Sequence, residues 1–266
     1  MAAGRLQTDI VKYLIANGAD VNHRYHGSSL FLPLGQAAHG LNKDIVSVLL
    51  SHGATVDEGP VRSALRSGIH AAIDGFTYPE EKKVAEMLLE HATIHVAAKY
   101  GSLKGVEAAI KKNSDAVFIK GLFGQTPLHL AAAGGHKGVV EFLLANRAEI
   151  NARDDDGDTP LSLAVGSSNN YNEDNYLYDA AKTTVIELLI ANGADVNTST
   201  NKGRTPLHVA VRQNESIQLL LESGANINAK DKDGETPLYW AEEYYLGSLS
   251  NKIEILSLLR KWGARR

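Results

Sequence analysis

The chain of 266 residues has no cysteine. Disulfides, thiolate metal sites and a cysteine nucleophile are therefore excluded, and the absence fits a reducing compartment. No apolar run approaches the roughly 20 residues that span a bilayer. The stretch from Met1 to Tyr13 lacks a signal-peptide pattern, because Arg5, Gln7, Asp9 and Lys12 interrupt its apolar residues. Charge of one sign is missing too: 27 Lys and Arg face 31 Asp and Glu, a net charge of -4. Such a balance gives no general pull toward nucleic acid or an anionic membrane surface. There is no Gly-x-Ser-x-Gly elbow, and Gly134-Gly135-His136-Lys137-Gly138 lacks Walker spacing. These absences predict a protein of the cytosol, its own cell's or a host's, that inserts into no membrane, binds no nucleic acid and needs no metal or cofactor.

What the chain does have is self-similarity. Thr-Pro-Leu followed by a polar residue occurs at Thr126–His129, Thr159–Ser162, Thr205–His208 and Thr236–Tyr239. The first pair is 33 residues apart, the last pair 31, and the middle interval is 46, so one unit carries about 13 extra residues. A second motif closes the units at Asn17–Asn22, Asn192–Asn197 and Ser223–Asn228. The chemistry of a unit reads directly. Thr126 and Thr205 are positioned to cap helices, with proline at the first helical position. Leu128, Leu130, Ala131 and Ala132 make a short helix whose small residues permit close stacking. Val139, Val140, Phe142, Leu143 and Leu144 form the apolar face of a second. Gly193 and Gly224 stand where a left-handed residue ends the last turn. Asp154–Gly157 and Asp231–Gly234 are turn sequences.

Two motifs recurring in fixed phase resemble the ankyrin family, whose period is about 33 residues and whose signature is Thr-Pro-Leu-His-x-Ala. The resemblance covers nearly the whole chain. It implies an all-α solenoid of about eight helix-turn-helix units with β-hairpin fingertips. As a single array over 1–266, the units would be 1–22 (partial), 23–57, 58–91, 92–118, 119–151, 152–197 with an insertion at 167–181, 198–228 and 229–266. It also implies that His70, His95, His129 and His208 bond the backbone of a neighbouring unit. Two departures stand out. Between Leu89 and Ile94 there is no room for a fingertip, so two helices should meet through a very tight link or as one bent helix; similar junctions occur in bacterial-type arrays, and the alternative is a boundary between two separately folded arrays. The insertion mixes Tyr171, Tyr176 and Tyr178 with asparagines, a composition adaptable enough for contacts but also that of a tolerated surface loop.

Other candidate chemistry is thin. His91 and His95 have the i, i+4 spacing of a metal pair, with no carboxylate to complete it. Asp154, Asp155, Asp156 and Asp158 share part of a calcium-loop pattern, but a helix start at Thr159 replaces the rest of that loop. Arg147 falls where Gly18, Gly53, Gly193 and Gly224 end other units, so it is expected to be left-handed despite its Cβ. The resemblance implies a non-catalytic module, monomeric in isolation, that binds another protein through a concave surface. Carried over by position, the contact residues are Leu122, Phe123, Gln125, Asp155, Asp156, Asp158, Asn201, Lys202, Arg204, Lys232, Asp233 and Glu235 on fingertips, with Tyr100, Arg212, Glu243, Tyr244 and Tyr245 near the ends of the inner helices. One form of this function is an effector that a bacterium delivers into a host. The alternatives are a fragment of a larger protein whose activity lies elsewhere, and an enzyme or small-molecule binder that uses the insertion and the concave face.

Overall fold

The computed structural model describes residues 2–23, 33–56, 79–166, 179–211, 214–245 and 248–265. Most of the insertion, Arg212, His70 and most of the third expected unit lie outside the described residues. The described chain is helical: α1 (Ala2–Ala16), α2 (Pro33–His39), α3 (Lys43–Ser51), α4 (Pro79–Glu90), α5 (Ile94–Lys99), α6 (Leu103–Lys112), α7 (Pro127–Ala133), α8 (Lys137–Ala145), α9 (Pro160–Val165), α10 (Asp179–Ala191), α11 (Pro206–Ala210), α12 (Asn214–Glu222), α13 (Pro237–Glu243) and α14 (Leu249–Lys261). It is an all-α solenoid. Short 3-10 turns cover Ser114–Phe118 and Leu122–Gly124. The expected β-hairpins do not appear as strands among the described residues; the fingertips are tight turns.

Two compact units form. One is Met1–Ala97 with Ser102–Ser114, the other Ala98–Gly101 with Asp115–Arg266. In the first, α3 packs on α1, α2 and α4, and α4 packs on α6. The compact junction is two helices, α4 and α5, linked by His91, Ala92 and Thr93 alone. Thr93 starts α5, its carbonyl accepting from Ala97 N–H at 2.9 Å.

In the second unit the first helices of successive repeats, α7, α9, α11 and α13, stack in one row, and the second helices, α8, α10, α12 and α14, in another. Leu128, Leu143, Leu161, Leu189, Leu207, Ile217, Leu220 and Ile255 lie fully buried between the rows. Each such burial contributes about 2 kcal/mol. Of the faces read from sequence, Leu128, Ala131, Ala132, Val139, Val140 and Leu143 are buried, while Leu130, Phe142 and Leu144 are half-buried.

Polar side chains repeat along the stack. Asn151 accepts from Asp195 N–H (2.9 Å) and donates to the Gly193 carbonyl (3.5 Å). Asn197 does the same to Asn226 and Gly224, and Asn228 to Arg265 and Gly263. In the first unit Asn22 reaches Thr55 and Gly53. Each rung bonds the turn that follows a second helix, where the glycine is left-handed: Gly53 at φ 82°, Gly193 at 91°, Gly224 at 87° and Gly263 at 91°. Counting back eight residues from the capping threonine places Phe118 at the asparagine position of the preceding rung. Arg147 is the matching helix-end residue, and it is left-handed at φ 65° as its position requires. It keeps the same pair of bonds, Arg147 N–H to Leu144 and Ala148 N–H to Leu143. Its side chain is exposed, and no ion pair ties it to Glu149 or Asp154 among the described residues. One junction thus departs from the asparagine–glycine pairing on both sides.

Candidate protein-binding site

Four fingertips in the second unit align on their capping threonines: Gly121–Gln125, Asp154–Asp158, Thr200–Arg204 and Asp231–Glu235. All four close with the same bond, from the first residue's N–H to the fifth residue's carbonyl, at 2.8–3.0 Å. All four place a left-handed glycine fourth: Gly124, Gly157, Gly203 and Gly234, at φ 68–79°. The tips are also tied to one another in register. Asp155 N–H donates to the Phe123 carbonyl (2.9 Å), Asn201 N–H to Asp156 (2.8 Å) and Lys232 N–H to Lys202 (3.0 Å). A net bond of this kind contributes about 1 kcal/mol, and the repetition fixes one tip against the next.

The first residue of a tip decides its internal structure. Asp154 Oδ1 accepts from the N–H groups of Asp156 (3.0 Å) and Asp158 (2.9 Å). Asp231 Oδ1 accepts from Asp233 (3.0 Å) and Glu235 (2.9 Å). Thr200 Oγ1 accepts from Lys202 and Arg204, both at 3.3 Å. Gly121 has no side chain to accept anything. There Gln125 N–H turns to the Leu122 carbonyl at 3.3 Å, and Phe123 takes φ 58°, ψ 25°. At the same place Asp156, Lys202 and Asp233 do not have positive φ. A bulky residue in this region carries roughly 1–2 kcal/mol of steric cost. Packing does not offset it, since Phe123 is 71% and Leu122 83% exposed. Phe118 and Ile119 are also exposed, at 50% and 46%.

The remaining predicted contacts divide. Asp155, Asp156, Asn201, Lys202, Lys232 and Asp233 are exposed at the tips. Gln125 is half-buried and donates to Asp154 Oδ2 (3.3 Å). Asp158 is buried: its carboxylate accepts from Ser162 Oγ (2.9 Å) and its carbonyl from His129 Nε2 (3.0 Å), so it serves the stack rather than the surface. Arg204 is also half-buried. Its guanidinium lies 4.3 Å over the Trp240 ring and 3.9 Å from Asp231 Oδ2, which also accepts from the indole N–H (3.2 Å). Tyr244 lies against Trp240 with ring centroids 5.2 Å apart and donates to Glu235 Oε1 (3.1 Å). That bond holds its phenol above the ordinary value. Glu235, Tyr245 and Tyr100 are half-buried, and Glu243 is exposed. Sequence reasoning missed Phe118 and Ile119. Their signal was the pair Phe118-Ile119 where later repeats place asparagine followed by alanine or threonine.

His129, His136 and His208 work between repeats. Thr126 N–H donates to His129 Nδ1 (3.1 Å), so Nδ1 is the acceptor and Nε2 carries the hydrogen given to the Asp158 carbonyl. His208 repeats the arrangement with Thr205 and the Glu235 carbonyl (3.1 Å). Ser162, at the equivalent place in α9, is too short and bonds within its own turn. Burial pushes both histidines below their ordinary value; bonded carbonyls and the charges of Asp154 and Asp231 oppose this only in part. Burial lowers His136 as well, against its bond to the Lys99 carbonyl (2.9 Å). His91 Nδ1 bonds the Met87 carbonyl (3.1 Å). Carboxylates of Asp231, Asp233 and Glu235 approach within 4.8 Å of one another, but Asp231 is committed to backbone, indole and guanidinium. Among the described residues no helix is long and apolar enough to cross a membrane.

Comparison with known proteins agrees with this geometry. A family model described as ankyrin repeats (3 copies) matches residues 94–180 and 177–265. The chain belongs to the ankyrin-repeat family. It is similar to the neurogenic locus notch homolog protein 1 of Xenopus laevis, 38% identical over 27% of this chain and 3% of that protein. It is also similar to the ankyrin repeat and KH domain-containing protein mask-1 of Caenorhabditis elegans, 32% identical over 61% of this chain and 6% of that protein. A third relative is the human ankyrin repeat domain-containing protein SOWAHB, 29% identical over 53% of this chain and 19% of that protein. The chain spans less than a fifth of the length of any of these. Ankyrin repeats are protein-interaction modules, and the family is typically non-catalytic.

Proposed function

We propose that this chain is a non-catalytic protein-binding module whose contact surface centres on the fingertip Gly121–Gln125. One observation carries the reading: Phe123 is held in a left-handed conformation and presented to solvent beside Leu122. Strain without return from packing marks a functional site, and exposed aromatic anchors with a charged rim are interface chemistry. Asp155, Asp156, Asn201, Lys202, Lys232 and Asp233 supply the rim, with Gln125, Arg204 and Glu235 behind it. Tyr100, Tyr244 and Tyr245 flank the first-helix row, and Arg212 belongs to the same proposed surface by sequence position. The module acts in the cytosol, as a monomer in isolation, with its repeats forming one functional array.

The test compares the full chain with Leu122→Ser/Phe123→Ser as immobilised bait in native lysate, read by mass spectrometry. Proteins captured by the first and lost from the second, with unchanged thermal stability, support the proposal. Identical capture places the interface elsewhere. A second reading, that the chain works within a larger protein, is favoured by α1, where Ile10, Tyr13 and Leu14 are 51%, 68% and 51% exposed. Such an apolar helix face is what a neighbouring repeat covers. Fusing a consensus ankyrin repeat ahead of α1 should raise the melting temperature; an unchanged value argues against that reading.

A further inference from the structure

The four tips of the second unit differ in charge in a fixed order. The first is apolar, with Leu122 and Phe123 exposed, and Phe118 and Ile119, just before it in sequence, exposed as well. The second presents Asp155 and Asp156. The third presents Asn201 and Lys202, its other cation, Arg204, being held against Trp240 and Asp231. In the fourth, Lys232 and Asp233 oppose each other. Arg153, just before the acidic tip in sequence, is exposed, and Lys120 donates to its carbonyl at 2.8 Å. Because the tip-to-tip backbone bonds keep the same register at all three junctions, this order is a rigid ruler rather than an average over mobile loops.

We propose that the tips read an extended segment of a partner protein whose own order is apolar, then basic, then acidic, in register with the apolar, acidic and basic tips. Packed helices lie about 8–10 Å apart, and an extended chain advances about 3.3 Å per residue. One tip therefore corresponds to about three residues of the segment. Leu122 and Phe123 anchor its apolar side chains, Asp155 and Asp156 select arginine or lysine, and Lys202 selects aspartate or glutamate. Matched charge also disfavours a segment whose basic and acidic positions are exchanged, since like charges would then meet at both later tips. The inference rests on the fingertip binding proposed above.

A random 12-residue peptide library displayed on phage, selected on the intact chain, tests it. Enriched peptides should share a large apolar residue, a basic residue about three positions away and an acidic one about three further, in one chain direction. Selected peptides should then bind Asp155→Lys/Asp156→Lys and Lys202→Glu at least 10-fold more weakly by fluorescence anisotropy. Exchanging the matching peptide charge should restore each. All these side chains are exposed, and circular dichroism melts confirm that each variant keeps the fold. Peptides lost with Leu122→Ser/Phe123→Ser but indifferent to both charge reversals overturn the charge order and leave the fingertip site standing. Enriched peptides indifferent to Leu122→Ser/Phe123→Ser, or no enriched family, overturn both. Self-association in sedimentation that Leu122→Ser/Phe123→Ser abolishes would put a second copy on the patch and also overturn the peptide reading.

Discussion

The fingertip at Gly121–Gln125 and the one at Asp231–Glu235 share a closing bond and a left-handed glycine, yet they use their residues in opposite ways. At the second, Asp231 accepts two backbone N–H groups and the Trp240 indole, and lies beside the Arg204 guanidinium. The Asp231 side chain is turned inward to hold the array, while Lys232 and Asp233 stay exposed. At the first, Gly121 contributes no acceptor, Phe123 is strained, and two large apolar side chains face water. The contrast teaches that a repeat scaffold can surrender local stability at one tip because its neighbours hold the register.

The comparison breaks most visibly at Asp231. Asp231→Ala leaves two backbone donors and an indole N–H without their acceptor, and a half-buried guanidinium without its nearby carboxylate. Urea denaturation should show a loss of about 3 kcal/mol. A loss below about 1 kcal/mol would mean that the tip does not depend on its side-chain acceptor.

The histidine bridges come next. His129→Ser converts its junction to the Ser162 type and removes the bond to the Asp158 carbonyl, at an expected cost of about 2 kcal/mol. The same residues set a pH dependence. The folded values of His129, His136 and His208 are lowered, so the unfolded chain binds more protons below the ordinary histidine value near 6.5. Their contribution is fully present above that value and is lost as pH falls through it toward the folded values. Denaturation midpoints should drop across this window, and less steeply in His129→Ser. An equally steep drop in the variant would assign the effect to other groups.

Giving the strained tip what it lacks is a milder change. Gly121→Asp supplies the missing acceptor at an extended position, and should stabilise the chain by about 1 kcal/mol while drawing Phe123 out of its left-handed conformation. A lower midpoint would show that the apolar tip cannot adopt the geometry of the others. Arg147→Gly should have the smallest effect, a gain of about 0.5 kcal/mol, the relief of a left-handed Cβ less the greater freedom of glycine in the unfolded chain. Combining it with Phe118→Asn restores both sides of the missing rung and should add to the gain. A midpoint that falls for Arg147→Gly would reveal a contact that the backbone conformation conceals.

Much of this was legible in the sequence because repeats display the same physics several times. Capping threonines, proline starts and glycine stops fixed the helix boundaries, and one missing glycine was enough to expect Arg147 left-handed. The tight link between α4 and α5 followed from the few residues between Leu89 and Ile94. Interactions between repeats were harder to read. Asp158 looks like a surface acid until its carboxylate is seen on Ser162, and Arg204 looks like a free cation until Trp240, far along the chain, is folded beneath it. The asparagine rungs are plain as a motif, but their partners lie one repeat away. Once those partners are known, Phe118 stands out as the residue that interrupts them.

The most direct test of the central claim measures binding and stability on one pair of proteins. Titration calorimetry with a partner captured by the full chain should give a Kd at least about 100-fold weaker for Leu122→Ser/Phe123→Ser, the loss of about 2.7 kcal/mol expected of a central anchor pair. The melting temperature of the variant should stay the same or rise, because neither side chain packs. An unchanged Kd, or a weaker one accompanied by a large fall in melting temperature, would contradict the account.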